Sequence, residues 1–171
     1  GGEITAKKCD PKHLDAVLSV FEQMGCRIHT LSDTICFSAK KPLKAVDTVR
    51  TMVYPGFPTD CQAFVMAALC KAEGTSVFVE NIFENRYQHT GGFQRMGADI
   101  RVEGKVAVVE GVKRLYGAKT SAPDLRGGAG LVAAALSAEG TSEIEDIHYI
   151  DRGYEAIEKT LSAVGADIQR V

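Results

Sequence analysis

The stretch Ala72-Glu73-Gly74-Thr75-Ser76 is spelled again at Ala138-Glu139-Gly140-Thr141-Ser142, 66 positions later. Working outward, Asn85-Arg86-Tyr87 is answered by Asp151-Arg152-Gly153-Tyr154, and the two arginines keep that offset. Met96-Gly97-Ala98-Asp99-Ile100 returns as Val164-Gly165-Ala166-Asp167-Ile168, now offset by 68, so two residues have been inserted between. Upstream, Pro58-Thr59-Asp60 has a partner in Pro123-Asp124. A fainter third echo is Met24-Gly25-Cys26-Arg27-Ile28. Matches in the same order describe a repeated supersecondary unit of about 65 residues.

Each copy has a readable grammar. Over 60–73, Cys61, Phe64, Val65, Ala68, Leu69 and Ala72 form an apolar helical stripe. Thr59 is placed to cap its start and Gly74 to supply the left-handed residue beyond its end. The second copy of that helix puts Leu125, Ala129, Val132 and Leu136 on one face and stops at Gly140. Strands follow at 75–79 and 141–146. A second helix is clearest in Tyr154, Ile157, Leu161 and Val164 before Gly165. An early helix has Asp10 as cap, Pro11 in its first turn, and Leu14, Val17, Leu18, Phe21 and Met24 facing inward. Gly91-Gly92 predicts a weak or irregular helix in the middle copy. Two strands, 98–103 and 105–109, meet at a Glu103-Gly104 turn. The unit is β-α-β-α-β-β, an α/β fold, with copies at about 3–40, 48–110 and 114–171. The first copy lacks its opening strand and helix, and the third ends after its second helix and one strand. A fragment of a longer protein is therefore expected, one that self-associates through its interrupted edges.

Composition excludes several function classes. A formal charge of −2 and 45% apolar residues suit a globular domain and give no basic surface for nucleic acid. No apolar run approaches a membrane span, and no secretory signal opens the chain. Five cysteines without paired spacing predict reduced thiols and a cytoplasmic location, with no metal site.

Four ordered stretches carry a family resemblance: Tyr54-Pro55-Gly56-Phe57-Pro58-Thr59-Asp60, Asn81-Ile82-Phe83-Glu84-Asn85-Arg86, Asp124-Leu125-Arg126 and His148-Tyr149-Ile150-Asp151-Arg152-Gly153-Tyr154-Glu155. Over residues 40–171, and more loosely before, the chain resembles UDP-N-acetylglucosamine enolpyruvyl transferases. The resemblance implies two domains, each of three such units around a pseudo-threefold axis with helices inside, an inside-out α/β barrel. This chain would be most of one domain. It implies transfer of enolpyruvate from phosphoenolpyruvate to the 3-hydroxyl of UDP-N-acetylglucosamine, without a cofactor, in peptidoglycan synthesis and hence cell wall biogenesis, cell shape and division. A missing N-terminal domain would carry a reactive-cysteine loop and further phosphoenolpyruvate ligands, so the chain alone is expected to be inactive. The alternatives are the shikimate-pathway transferase and a non-catalytic, repeat-built binding module.

Site residues follow from the resemblance one by one. On its own, Asp60 reads as a carboxylate favoured by a helix N-terminus; the resemblance makes it the general base that meets the sugar hydroxyl. Asp124 reads alone as another N-cap; the resemblance gives it the proton at the enol carbon. Arg86 and Arg152 occupy equivalent repeat positions just after a strand, where a structural salt bridge is the plain alternative. Guanidinium groups suit the carboxylate and phosphate of phosphoenolpyruvate, and the resemblance puts Arg126 and Arg152 in that site, with Arg86 near it. The backbone at Ile82 and Phe83 is implied to line the nucleotide-sugar site. Cys61 is expected to be an inert buried thiol, His148 structural, and the 127–130 glycines a means of close helix packing rather than a phosphate loop.

Overall fold

The computed structural model describes residues 2–39 and 42–171. The chain first lays down β1 (Gly2–Lys7), α1 (Asp15–Gln23), β2 (Arg27–Thr30) and β3 (Thr34–Ala39). Asp10 accepts from the Lys12 amide, and Pro11 opens a short 3-10 turn ahead of α1. These three strands form an antiparallel sheet in the order β1-β3-β2.

The middle segment is β4 (Thr48–Arg50), α2 (Gln62–Leu69), β5 (Thr75–Val79), α3 (Thr90–Arg95), β6 (Asp99–Glu103) and β7 (Val106–Glu110). Its sheet order is β4-β5-β7-β6, with β4 and β5 parallel and the other pairs antiparallel. The last segment holds β8 (Lys119–Ser121), α4 (Leu125–Ala135), β9 (Glu143–Glu145), α5 (His148–Asp151) and α6 (Ile157–Ala163), with β8 parallel to β9. The β1-β3-β2 sheet thus repeats the β5-β7-β6 arrangement, and β8-β9 repeats β4-β5. The three sheets remain separate and no closed barrel forms among the described residues.

The faint echo at Met24–Ile28 proves to be structural. Gly25, Gly97 and Gly165 each follow a helix with φ of +93°, +92° and +99°. In each copy the next residue reaches back to the same carbonyl position: Cys26 to Phe21 at 3.0 Å, Ala98 to Phe93 at 3.0 Å, Ala166 to Leu161 at 3.1 Å. Together with the glycine N–H bonds to Glu22, Gln94 and Ser162, this is one Schellman ending used three times. A side chain is disfavoured at that backbone conformation, which explains the glycine in every copy.

Several helix details depart from the sequence pattern. Thr59 does not cap α2; it lies in a 3-10 turn over Thr59–Cys61, and its hydroxyl donates elsewhere. Helix α2 is buried nearly all round, with Gln62, Ala63, Met66 and Ala67 more enclosed than the expected stripe residues Cys61, Phe64 and Ala68. Helix α4 is likewise enclosed from Gly127 to Val132, while Leu136 is exposed. These two interior helices pack on each other, so apolar periodicity gives way to residues that are small or apolar on every side. In α1, Val20 is buried where Leu14 was expected, and Val164 is exposed beyond α6. No strand forms over 166–171. Helix α3 does form despite Gly91-Gly92 but is only six residues long. Gly92 has a reason to be glycine: a Cβ there would sit 2.4 Å from Leu131 Cδ2 and 2.8 Å from Thr120 Oγ1.

Candidate active site

The starts of α2 and α4 lie side by side and carry opposite charges. Arg126 grips Asp60 with two nitrogens, Nε to Oδ1 at 2.8 Å and Nη2 to Oδ2 at 3.2 Å. Arg86, from the loop after β5, adds Nη2 to Oδ1 at 3.0 Å. Asp60 and Arg126 are 66 positions apart, the offset that also separates Cys70 and Leu136 at the ends of the two helices, so they hold the same place in two copies of the repeat and the pairing of Asp60 with Asp124 expected from sequence does not hold. A planar fork on a carboxylate is the strong, oriented form of ion pair. The Asp60 hydrogen bond is the main cause that raises the Arg126 pKa. The cluster is nonetheless open: Asp60's side chain is 55% exposed, Arg126's 38% and Arg86's 18%.

Arg86 also stacks over Phe83, 5.0 Å from its ring centroid. Phe83 and Ile82 are exposed apolar residues beside this ion-pair cluster. Their backbone is fixed from below by Glu80, whose Oε1 accepts from the Ile82 and Phe83 amides at 2.7 and 3.0 Å.

Asp124 is the N-cap of α4, with Oδ1 accepting from the Arg126 and Gly127 amides at 2.9 Å each. The plain helix-cap reading is therefore correct for one of its oxygens. Oδ2 accepts no hydrogen bond among the described residues. Beneath Asp124, against Gly127 of α4, lies His89, almost wholly buried and with no partner for Nε2 among the described residues. Burial is the main cause that lowers its pKa from 6.5 to about 4, with the Asp124 charge opposing it.

Arg152 stands apart from this cluster. It closes α5, after a helical turn rather than directly after a strand, and is exposed. Among the described residues it makes no hydrogen bond or ion pair, so Arg86 and Arg152 share a repeat position but not an environment. Tyr154, two residues on, does approach the cluster: its ring meets Phe64 edge-on at 6.1 Å, and its hydroxyl feels the charges of Arg126 and Asp60. Cys61 has its thiol pKa raised by burial and by Asp60, the reverse of an activated nucleophile. All five cysteines are free thiols. His148 is exposed and stacked near Tyr149. No group of three or more metal-ligating side chains exists among the described residues, and none of their helices is long and apolar enough to cross a membrane.

Comparison with known proteins decides the family. The family model described as EPSP synthase (3-phosphoshikimate 1-carboxyvinyltransferase) matches residues 1–161. The chain belongs to this family. Among curated relatives, UDP-N-acetylglucosamine 1-carboxyvinyltransferase 2 of Caldanaerobacter subterraneus is 50% identical over 170 residues, 99% of this chain and 41% of that protein. The 1-carboxyvinyltransferases of the same name from Nitratidesulfovibrio vulgaris and Myxococcus xanthus are 50% and 46% identical, again over 99% of this chain and 41% and 40% of theirs. The chain therefore spans about two-fifths of the length of these relatives. The crystal structure of the enolpyruvyl transferase NikO from Streptomyces tendae superposes with a TM-score of 0.86 at 25% identity, covering 98% of this chain and 40% of that one. EPSP synthase from Acinetobacter baumannii shares the fold, with a TM-score of 0.73 at 18% identity over 99% of this chain and 40% of its own.

Sequence reasoning does not single out Glu80 or His89; Tyr154 enters it as a repeat echo, on a helix face and within the motif at 148–155, without a role of its own. A glutamate inside the otherwise apolar run Val77-Phe78-Val79-Glu80 was the one available signal for the first.

Proposed function

We propose that this chain forms one wall of the active site of an enzyme that transfers enolpyruvate from phosphoenolpyruvate to the 3-hydroxyl of UDP-N-acetylglucosamine, releasing phosphate, in peptidoglycan synthesis. The observation that carries the reading is the cluster of Asp60, Arg86 and Arg126 with Ile82 and Phe83 alongside. It unites a carboxylate, two guanidinium groups and an apolar shelf on the face where two repeat helices begin. The curated relatives at 45–50% identity carry the activity in their names, whereas EPSP synthases share the fold at 18%.

The chemistry assigns each part a task. The hydroxyl oxygen bonds to the enol carbon, the carbon–oxygen bond to phosphate breaks, and the hydroxyl proton passes to Asp60. Arg86 and Arg126 offer forked donors for the carboxylate and phosphate of phosphoenolpyruvate. In the structure those donors are turned onto Asp60. An incoming anion competes for them and leaves the aspartate oxygens open to the sugar hydroxyl. Asp124 Oδ2 is available for the proton at the enol carbon while Oδ1 keeps the helix capped. Arg152, exposed and without an ion pair among the described residues, is assigned to the same anionic substrate. The remaining length found in the relatives supplies the opposite wall, so this chain alone is inactive.

The test is Asp60→Ala in the full-length enzyme. Turnover should fall by about a hundred- to ten-thousand-fold, the usual worth of a general base, with nucleotide-sugar affinity little changed. Unaltered turnover would reduce Asp60 to an ion-pair partner.

A further inference from the structure

Glu80 is a fully enclosed carboxylate, 1% exposed, at the end of β5. Burying a charge costs several kcal/mol unless hydrogen bonds replace its water. Here four donors do so. Thr59 Oγ1 and Gln62 Nε2 reach Oε2 at 2.9 and 2.7 Å, and the Ile82 and Phe83 amides reach Oε1 at 2.7 and 3.0 Å. Hydrogen bonds to an ionised acceptor are shorter and about twice as strong as neutral ones.

The two oxygens serve two different parts of the site. Oε2 holds Thr59 and Gln62, which flank Asp60 in the turn that opens α2. Oε1 holds the two residues of the apolar shelf. A neutral acceptor would have been the less costly way to tie two loops together. The side chain of Gln62 shows how far the arrangement is bent toward the carboxylate: its amide nitrogen faces Glu80 while its Oε1 is buried with no partner among the described residues.

We infer that Glu80 is a positioning residue that fixes the distance between the Asp60 turn and the Ile82–Phe83 shelf, and so sets the sugar hydroxyl against its base. It touches neither substrate and acts through both loops. A misplacement of about 1 Å in such a constellation costs roughly a hundredfold in rate. This inference rests on the function proposed above.

The experiment is a double-mutant cycle in the full-length enzyme, with Glu80→Gln made in the wild-type and in the Asp60→Ala background. Glutamine keeps the shape but turns an NH2 toward two of the four donors. The expected result is a loss of turnover of at least about tenfold beside an intact Asp60, and of less than about threefold once Asp60 is gone, because groups acting as a unit are non-additive. Equal factors in the two backgrounds, or no loss in the first, would overturn the inference. Thr59→Val removes one donor without touching the carboxylate and guards against a misfolded Glu80 variant. It should lower turnover severalfold, Thr59→Ser should restore it, and an active Thr59→Val enzyme indistinguishable from wild type would also overturn the inference. Failure of the function itself looks different: the wild-type enzyme would not turn over phosphoenolpyruvate and UDP-N-acetylglucosamine.

Discussion

Lowering the pH from 7 to 5 should destabilise this chain through one buried side chain. His89 is held neutral under α4, and its pKa falls from 6.5 to about 4, chiefly because burial disfavours the charged ring. In the unfolded chain the ring titrates normally. Between those two values the unfolded state binds a proton that the folded state refuses, so stability is complete above pH 6.5 and is lost as pH falls toward 4. At pH 5 the unfolded ring is almost fully protonated and the folded ring almost fully neutral. The proton-linkage difference is then about 2 kcal/mol, rising to about 3 kcal/mol below pH 4. Urea unfolding of wild type and His89→Gln at both pH values measures it. Comparing the pH-induced change in each protein, rather than absolute stability, cancels the cost of the substitution and the shared titration of exposed groups. The wild type should lose about 2 kcal/mol more than the variant between pH 7 and 5. Equal losses would show that His89 takes its proton in the folded state and that burial does not hold the ring neutral.

Arg152→Lys in the full-length enzyme should weaken phosphoenolpyruvate binding although it keeps the charge, because an ammonium group cannot present a planar fork; equal affinity on ligand titration would remove Arg152 from that site. The neighbouring glycines of α3 should respond in opposite directions. Gly92→Ala overpacks against Leu131 and Thr120 and should cost about 1–3 kcal/mol. Gly91→Ala meets nothing within 4 Å and should add about 0.5–1 kcal/mol. Thermal unfolding of the two variants checks both signs.

The parts of the fold written as local backbone requirements were legible. A glycine that must take positive φ leaves the same letter in every copy, so Gly25, Gly97 and Gly165 stand out in the sequence as one repeated position, with Gly165 placed after a helix. The strand at Thr75–Val79 and the Glu103-Gly104 turn were equally plain. Interior helices were read less well. Periodicity reports a helix with one wet face, and α2 and α4 have almost none. Thr59 departs from its expected role for a related reason: a hydroxyl before a helix suggests a cap, but this one lies in a 3-10 turn and is directed to donate to a buried carboxylate 21 residues away.

The site was legible only as a set of separate letters. Sequence gave no reason to join Asp60 to Arg126, because the joining is done by the packing of one repeat on the next. The repeat explains why such a site arises where it does. Equivalent helices begin at equivalent places, so packing α2 on α4 brings two copies of one position together at the helix starts. Had that position kept one identity, two like charges would face each other and repel. It holds aspartate in one copy and arginine in the other, and the two clasp at 2.8 Å. The segments that stay identical, Ala72–Ser76 and Ala138–Ser142, instead carry chain from helix end to strand, a backbone task common to both copies. Identity between the copies thus marks the scaffold, and divergence at the helix starts marks the chemistry. The same logic accounts for Glu80: Asp146, 66 positions on, is exposed with φ of +55° and bonds Ser121, so the last copy does not use this strand end to brace a site as the middle copy does.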